Sequence, residues 1–196
     1  MHLNQVITKP VRSADPTFEP LTLEEAKKQI GVGDIDAHDA MLNDLIKEAR
    51  EQVEHDTGLV CGTGSFTYKL TDWPCGDYFE LPLRPVTSVT SIVYVDSGGT
   101  STTWTSTNYS LETSTVQPIV RLTYGNFFPT LRGDINGITV TLVAGYATRT
   151  AIPIRLKQAC LLRLQMQWNL HLEMPTSDLM AGYDRMLASL QRSNYP

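Results

Sequence analysis

The sequence predicts an α+β protein: an N-terminal helix pair, a central antiparallel β-domain and a C-terminal helix pair. Three observations predict it. Apolar residues recur at helical spacing as far as Thr57, the period changes to two from Ser65, and helical spacing returns after Pro153.

Residues 1–20 hold Pro10, Pro16 and Pro20 without periodicity, which predicts an extended arm rather than a packed element. Thr22 and Glu25 form a capping box ahead of Leu23, Ala26 and Ile30, and Gly31 and Gly33 stop that short helix. Asp36 is expected to cap a longer helix. In it Met41, Leu42, Leu45, Ile46, Ala49 and Val53 share one face, Arg50 and its charged neighbours fall elsewhere, and Gly58 ends it.

From Ser65, Phe66, Tyr68 and Leu70 alternate with polar residues, the pattern of a strand with one wet face. Further strands are expected at 78–81, 89–96, 102–105, 109–112, 119–124 and 138–144. Turns fall at Asp72-Trp73-Pro74, Ser97-Gly98-Gly99 and Asn136-Gly137, and this spacing suggests an antiparallel meander. The segment Ser97–Thr107 is nearly all Ser, Thr and Gly around Trp104, which reads as a polar hairpin tip.

Pro153 fits the first turn of a third helix, whose missing N–H has no partner there in any case. Ile154–Leu170 is apolar around most of its circumference, so it must be buried on several sides, within its own subunit or between subunits. Pro175 breaks it. A last helix, capped by Ser177 or Asp178, carries Leu179, Met180, Tyr183, Met186, Leu187 and Leu190 in one stripe that needs a partner.

Composition narrows the function. The chain has 196 residues and a net charge of −5, unfavourable for sequence-independent binding of nucleic acid by its surface. Residues 1–60 hold 6 basic and 12 acidic side chains, while 151–196 hold 5 and 3, so the start is acidic and the end slightly basic. Cys61, Cys75 and Cys160 are too widely spaced for a metal or redox motif and read as free thiols of a protein made in a reducing cytoplasm. No apolar run is long enough to span a membrane, and the first residues lack the pattern of a signal peptide.

Chemistry motifs are sparse, and neither a cofactor nor a metal is expected. Asp34-Ile35-Asp36 resembles the start of a calcium loop, but the loop glycine is missing and Leu45 stands at the twelfth position. His38, His55 and His171 have no second ligand at metal spacing and read as surface or boundary residues. No nucleophile has a recognisable setting of base and acid, so no catalytic residue is assigned. Two other readings are considered. One is a carbohydrate-binding or adhesin-like β module using an exposed Trp104. The other is an enzyme assembled from Asp72, Asp77 and Glu80. Neither explains the helix pairs.

The order of elements meets specific residues. Pro20-Leu21-Thr22-Leu23-Glu24-Glu25-Ala26-Lys27 is followed by Leu42, Leu45, Ile46, Ala49, Arg50, Val53, Glu54, Thr57 and Gly58 at helical spacing. Leu81-Pro82-Leu83-Arg84-Pro85-Val86, Val143-Ala144-Gly145-Tyr146 and Ile152-Pro153 with Leu156-Lys157-Gln158-Ala159 come later. This ordered set, over roughly residues 20 to 170, resembles the head-to-tail connector proteins of tailed bacteriophages, also called adaptor or head-completion proteins. It looks like their longer branch, which inserts a β-domain between helix pairs.

The resemblance implies a helical connector core from 21–60 and 151–174, an inserted β-domain over 61–150, and a C-terminal helix or tail over 175–196. It implies a structural protein of the virion neck, assembled in the host cytoplasm into a ring, typically of twelve copies. That ring docks under the portal protein, meets a tail or stopper protein on its far side, and lets DNA pass without sequence-specific binding. At −5 per chain such a ring carries about −60 and repels DNA rather than gripping it. Portal binding is expected of Met180, Tyr183, Met186, Leu187, Leu190 and Tyr195. Ring contacts are expected of Leu45, Leu161, Leu164 and Trp168.

Overall fold

A computed structural model describes residues 8–33 and 35–192, with side chains as far as Leu190. The chain divides into two compact units. Pro16–Gly62 and the chain from Tyr146 onward form a helical unit, and the segment up to Asp15 with Thr63–Gly145 forms a β-unit.

The helical unit holds α1 (Leu23–Ile30), α2 (Asp39–Thr57), α3 (Ile154–His171) and α4 (Ser177–Arg192). The capping box is present: the Glu25 amide donates to Thr22 Oγ1 at 3.1 Å, and the Thr22 amide donates to Glu25 Oε2 at 2.7 Å. Gly31 and Gly58 take the left-handed conformation that ends α1 and α2. Asp36 does not cap α2. A 3₁₀ turn over Asp36–His38 comes first, and Lys27 Nζ reaches both Asp36 at 3.2 Å and Asp39 at 2.7 Å, which ties α1 to the start of α2. Helix α4 also opens one residue earlier than expected, because the Thr176 carbonyl accepts from the Met180 amide. Ile46, Ala49 and Val53 of α2 meet Leu156, Ala159, Cys160 and Leu164 of α3, and Tyr183 and Leu190 of α4, in one apolar core.

The β-unit contains two antiparallel sheets. The larger has the order β1-β2-β8-β4-β5, with β1 at Val11–Arg12, β2 at Gly64–Leu70, β4 at Val86–Val95, β5 at Ser101–Thr103 and β8 at Ile138–Ala144. The smaller has the order β3-β7-β6, formed by Tyr78–Glu80, Ile119–Leu122 and Tyr109–Glu112. The expected meander is therefore corrected: the last strand lies between β2 and β4, and only β4–β5 and β6–β7 are hairpin neighbours. The cause is apolar content. Ile138, Val140, Leu142 and Ala144 make β8 the strand most suited to the centre, where Val140 sits opposite Tyr68 on one side and Ile92 on the other. The arm expected over 1–20 is likewise partly structured. Val11 and Arg12 pair with β2, and the Arg12 guanidinium lies 4.6 Å over the Phe66 ring.

Trp104 is no hairpin tip. Its amide donates to the Ile92 carbonyl at 2.7 Å, and its indole is 5% exposed. It packs 5.1 Å from Trp73, which stacks on Phe128 at 4.8 Å and also touches Phe79 of the smaller sheet and Tyr94 of the larger. The two indoles thus join the sheets. The hairpin tip itself is organised by Asp96, whose carboxylate accepts from the Gly98 amide at 2.9 Å and the Thr100 amide at 3.0 Å, beside Gly99 at φ 85°.

Two outcomes test this packing. Trp104→Ala should lower the unfolding free energy by about 3 kcal/mol in urea titration, and a loss near zero would contradict a packed indole. The bonds that hold Asp96 ionised, Thr100's foremost, depress its pKa, so the turn is intact above the ordinary carboxylate range and loosens as pH falls through the lowered value. The Gly98 and Thr100 amide resonances should accordingly titrate with a midpoint below 3.8.

Candidate assembly surfaces

The helical unit is closed by one buried charge. Arg50, on the inward face of α2, is 1% exposed. Its Nε donates to Glu19 at 2.8 Å, and its terminal nitrogens lie 3.3 Å from Glu51 and from Glu54. Glu54 accepts from the Cys61 amide at 2.8 Å through its other oxygen, and Arg149 Nε donates to the Glu19 carbonyl at 2.9 Å. Burial works against the guanidinium charge. The carboxylates, led by Glu54, more than offset it and leave the pKa raised. The sequence reading set Arg50 outside the apolar face; the structure places it within. The sequence did carry the signal, because Ile46, Ala49, Arg50, Val53 and Thr57 follow one helical stripe and all are buried.

Cys61 and Cys160 lie buried in the same core. The hydrogen bond between them, and burial, push the Cys61 thiol up, so it packs rather than reacts. His38 sits edge-on to Trp168 at 5.4 Å, with His171 on the same indole.

The residues expected at ring contacts separate into two groups. Leu164 and Trp168 are buried inside the unit, whereas Leu45 and Leu161 are half-buried at the margin of its core. The stripe expected to meet a portal is divided in the same way. Tyr183 and Leu190 are buried, the Tyr183 hydroxyl donates to Asp56 at 2.8 Å, and Met186 and Leu187 pack against the core. Burial and the Asp56 contact raise the Tyr183 pKa. Met180 stays exposed, and Tyr195 lies outside the described residues.

Apolar residues that the helical unit leaves exposed include Ile35, Ile154 and a group around the turn between α3 and α4. Leu170, Leu172, Met174 and Met180 are each about half exposed there. The turn is held by the Met174 amide donating to the Asn169 carbonyl at 2.8 Å, with Glu173 in the left-handed region at φ 55°. Sequence periodicity found the stripe but could not separate the part covered by α2 and α3 from the part left open.

The acids considered for catalysis, Asp72, Asp77 and Glu80, are exposed, and Asp77 pairs with Arg121 at 3.1 Å. Among the described residues no group of three His, Cys, Asp or Glu side chains could hold a metal ion, and no helix is long and apolar enough to cross a membrane.

The described fold is thus a helical unit interrupted by an antiparallel β-unit. Residues 20–103 match the family model for phage gp6-like head-tail connector proteins, the family that the sequence resembles. Solved structures share the fold. A chain in the virion of a native gene transfer agent (GTA) particle is 24% identical, with a TM-score of 0.73 over 91% of this chain and 95% of that one. A chain in the neck of an empty GTA particle, computed with C6 symmetry, is 25% identical, with a TM-score of 0.70 over the same shares. A third, in the neck of a native GTA particle computed with C12 symmetry, is 23% identical, with a TM-score of 0.68 over 91% and 94%. No curated protein sequence matches the chain.

Arg50→Ala should destabilise the protein by about 3 kcal/mol, because it strands the carboxylates gathered around it. Glu51→Ala, at an exposed partner, should stay within about 0.5 kcal/mol of the parent. Urea unfolding of both variants checks the contrast, and equal effects would contradict a buried node.

Proposed function

We propose that the chain is a structural, non-catalytic protein of the neck of a tailed-phage-like particle. It forms a ring, of twelve copies as the family resemblance implies, between the portal and a tail or stopper protein. The observation that carries this reading is the likeness over 91% of the chain to a protein of a particle neck, at 25% identity. The match of residues 20–103 to the connector family supports it independently.

Physical features agree with the role. A neck protein must hold its shape while neighbours press on it, and the helical unit is tied across distant segments by the Arg50 node and one apolar core. The net charge of −5 per copy suits a wall that passing DNA does not stick to. The portal-side contact is made by Met180 with Leu170, Leu172 and Met174 rather than by the whole α4 stripe, since Tyr183 and Leu190 already serve the chain's own core. The carbohydrate-binding alternative rested on an exposed Trp104, and the burial of that side chain removes its basis.

Light scattering of the purified chain, alone and mixed with the portal protein of the same genome, tests the proposal. The expected result is a ring mass in solution or on the portal. A monomer that ignores the portal would contradict it.

A further inference from the structure

The segment from Ser97 to Leu131 stands apart in charge. The whole chain holds 37 charged side chains among 196 residues, yet this segment has only Glu112 and Arg121, and Arg121 is paired with Asp77. Its last part begins the loop between β7 and β8, which carries Tyr124 at 103% exposure, Phe127 at 83% and Ile135 at 82%. Three large apolar side chains standing in water is costly unless something covers them.

The loop is also anchored. Phe128 stacks on Trp73, Trp73 Nε1 donates to the Pro129 carbonyl at 2.9 Å, and the Arg132 amide donates to the Val95 carbonyl at 3.2 Å. Phe128, Pro129 and Arg132 thus fix the loop while Tyr124 and Phe127 stay outward. Such preorganisation removes much of the ordering cost of a contact.

We propose that this charge-poor segment, led by Tyr124 and Phe127, is where one copy of the chain packs against the next. The inference rests on the ring reading above and names the surface that builds the ring. Charge selects the occupant. Each copy carries −5, so contact through the acidic residues 1–60 sets like charges together, whereas contact through 97–131 brings almost none. A basic partner would be met best by the acidic segment; an uncharged surface is of most use where the partner is the same acidic chain. Depletion of charge with enrichment of aromatic anchors is the composition of an interface core. Tyr124 and Phe127 together expose about 400 Å², at roughly 150–250 Å² for each aromatic side chain. That is about half of the roughly 800 Å² per partner that a stable pairwise contact uses, and the Ser- and Thr-rich remainder supplies the rim.

Sedimentation of the full chain over a range of concentrations tests this, using the parent, the double variant Tyr124→Glu with Phe127→Glu, and Ile35→Glu as an exposed control in the helical unit. Thermal melting at concentrations where the parent is unassembled should be the same for all three, because the altered side chains are exposed; if the double Glu variant melts early there, Tyr124→Ser with Phe127→Ser replaces it. The expected result is that the parent and Ile35→Glu assemble alike, while the double variant needs at least about a hundredfold higher concentration. A double variant that assembles like the parent overturns the inference and leaves the ring reading standing. A double variant that assembles but no longer binds portal or tail protein overturns it in favour of another occupant. A parent that stays monomeric at every concentration, and on the portal, overturns both readings.

Discussion

A buried guanidinium that must be neutralised is the constraint from which the helical unit takes its form. Arg50 cannot sit at 1% exposure without carboxylates around it, and those come from different stretches of chain. Glu19 precedes α1, Glu51 and Glu54 share α2 with Arg50, and the same carboxylate and carbonyl groups recruit Cys61 and Arg149. Cys61 lies where the chain is about to leave for the β-unit, and Arg149 where it has come back. The polar node therefore ties together segments of the helical unit that are far apart in sequence, and the apolar core of α2, α3 and α4 lies within the same unit.

How far the sequence revealed this depended on the range of each interaction. The Thr22–Glu25 box and the glycine stops are local, and they are found where the residues place them. The strands at 109–112 and 138–144 follow from alternation alone and have the expected limits. Sheet order is set by pairing between residues far apart, so β8 between β2 and β4 was not legible as such, although its apolar content suits the centre. Trp104 was misjudged because its sequence neighbours are polar, while the partners that bury it, Trp73 and Phe128, come from other turns. For the surfaces, helical period located the α4 stripe, yet only packing separated Tyr183 and Leu190 from Met180.

The two units differ in what holds them together and in what they leave exposed. Ionic and apolar closure hold the helical unit together, and Leu170, Leu172, Met174 and Met180 stay half exposed around the α3–α4 turn. The β-unit spends two tryptophans on joining its sheets and leaves a long anchored loop with its aromatic residues outward. The groups with raised pKa values, Cys61 and Tyr183 among them, are held by burial and by their Cys160 and Asp56 contacts.

The most direct measurement is a cryo-electron microscopy reconstruction of the particle made by the genome that encodes this chain. The account predicts a cyclic ring of this fold between head and tail, with the β7–β8 loop of each copy against its neighbour. Density for the chain elsewhere in the particle, or single copies that do not touch, would contradict it.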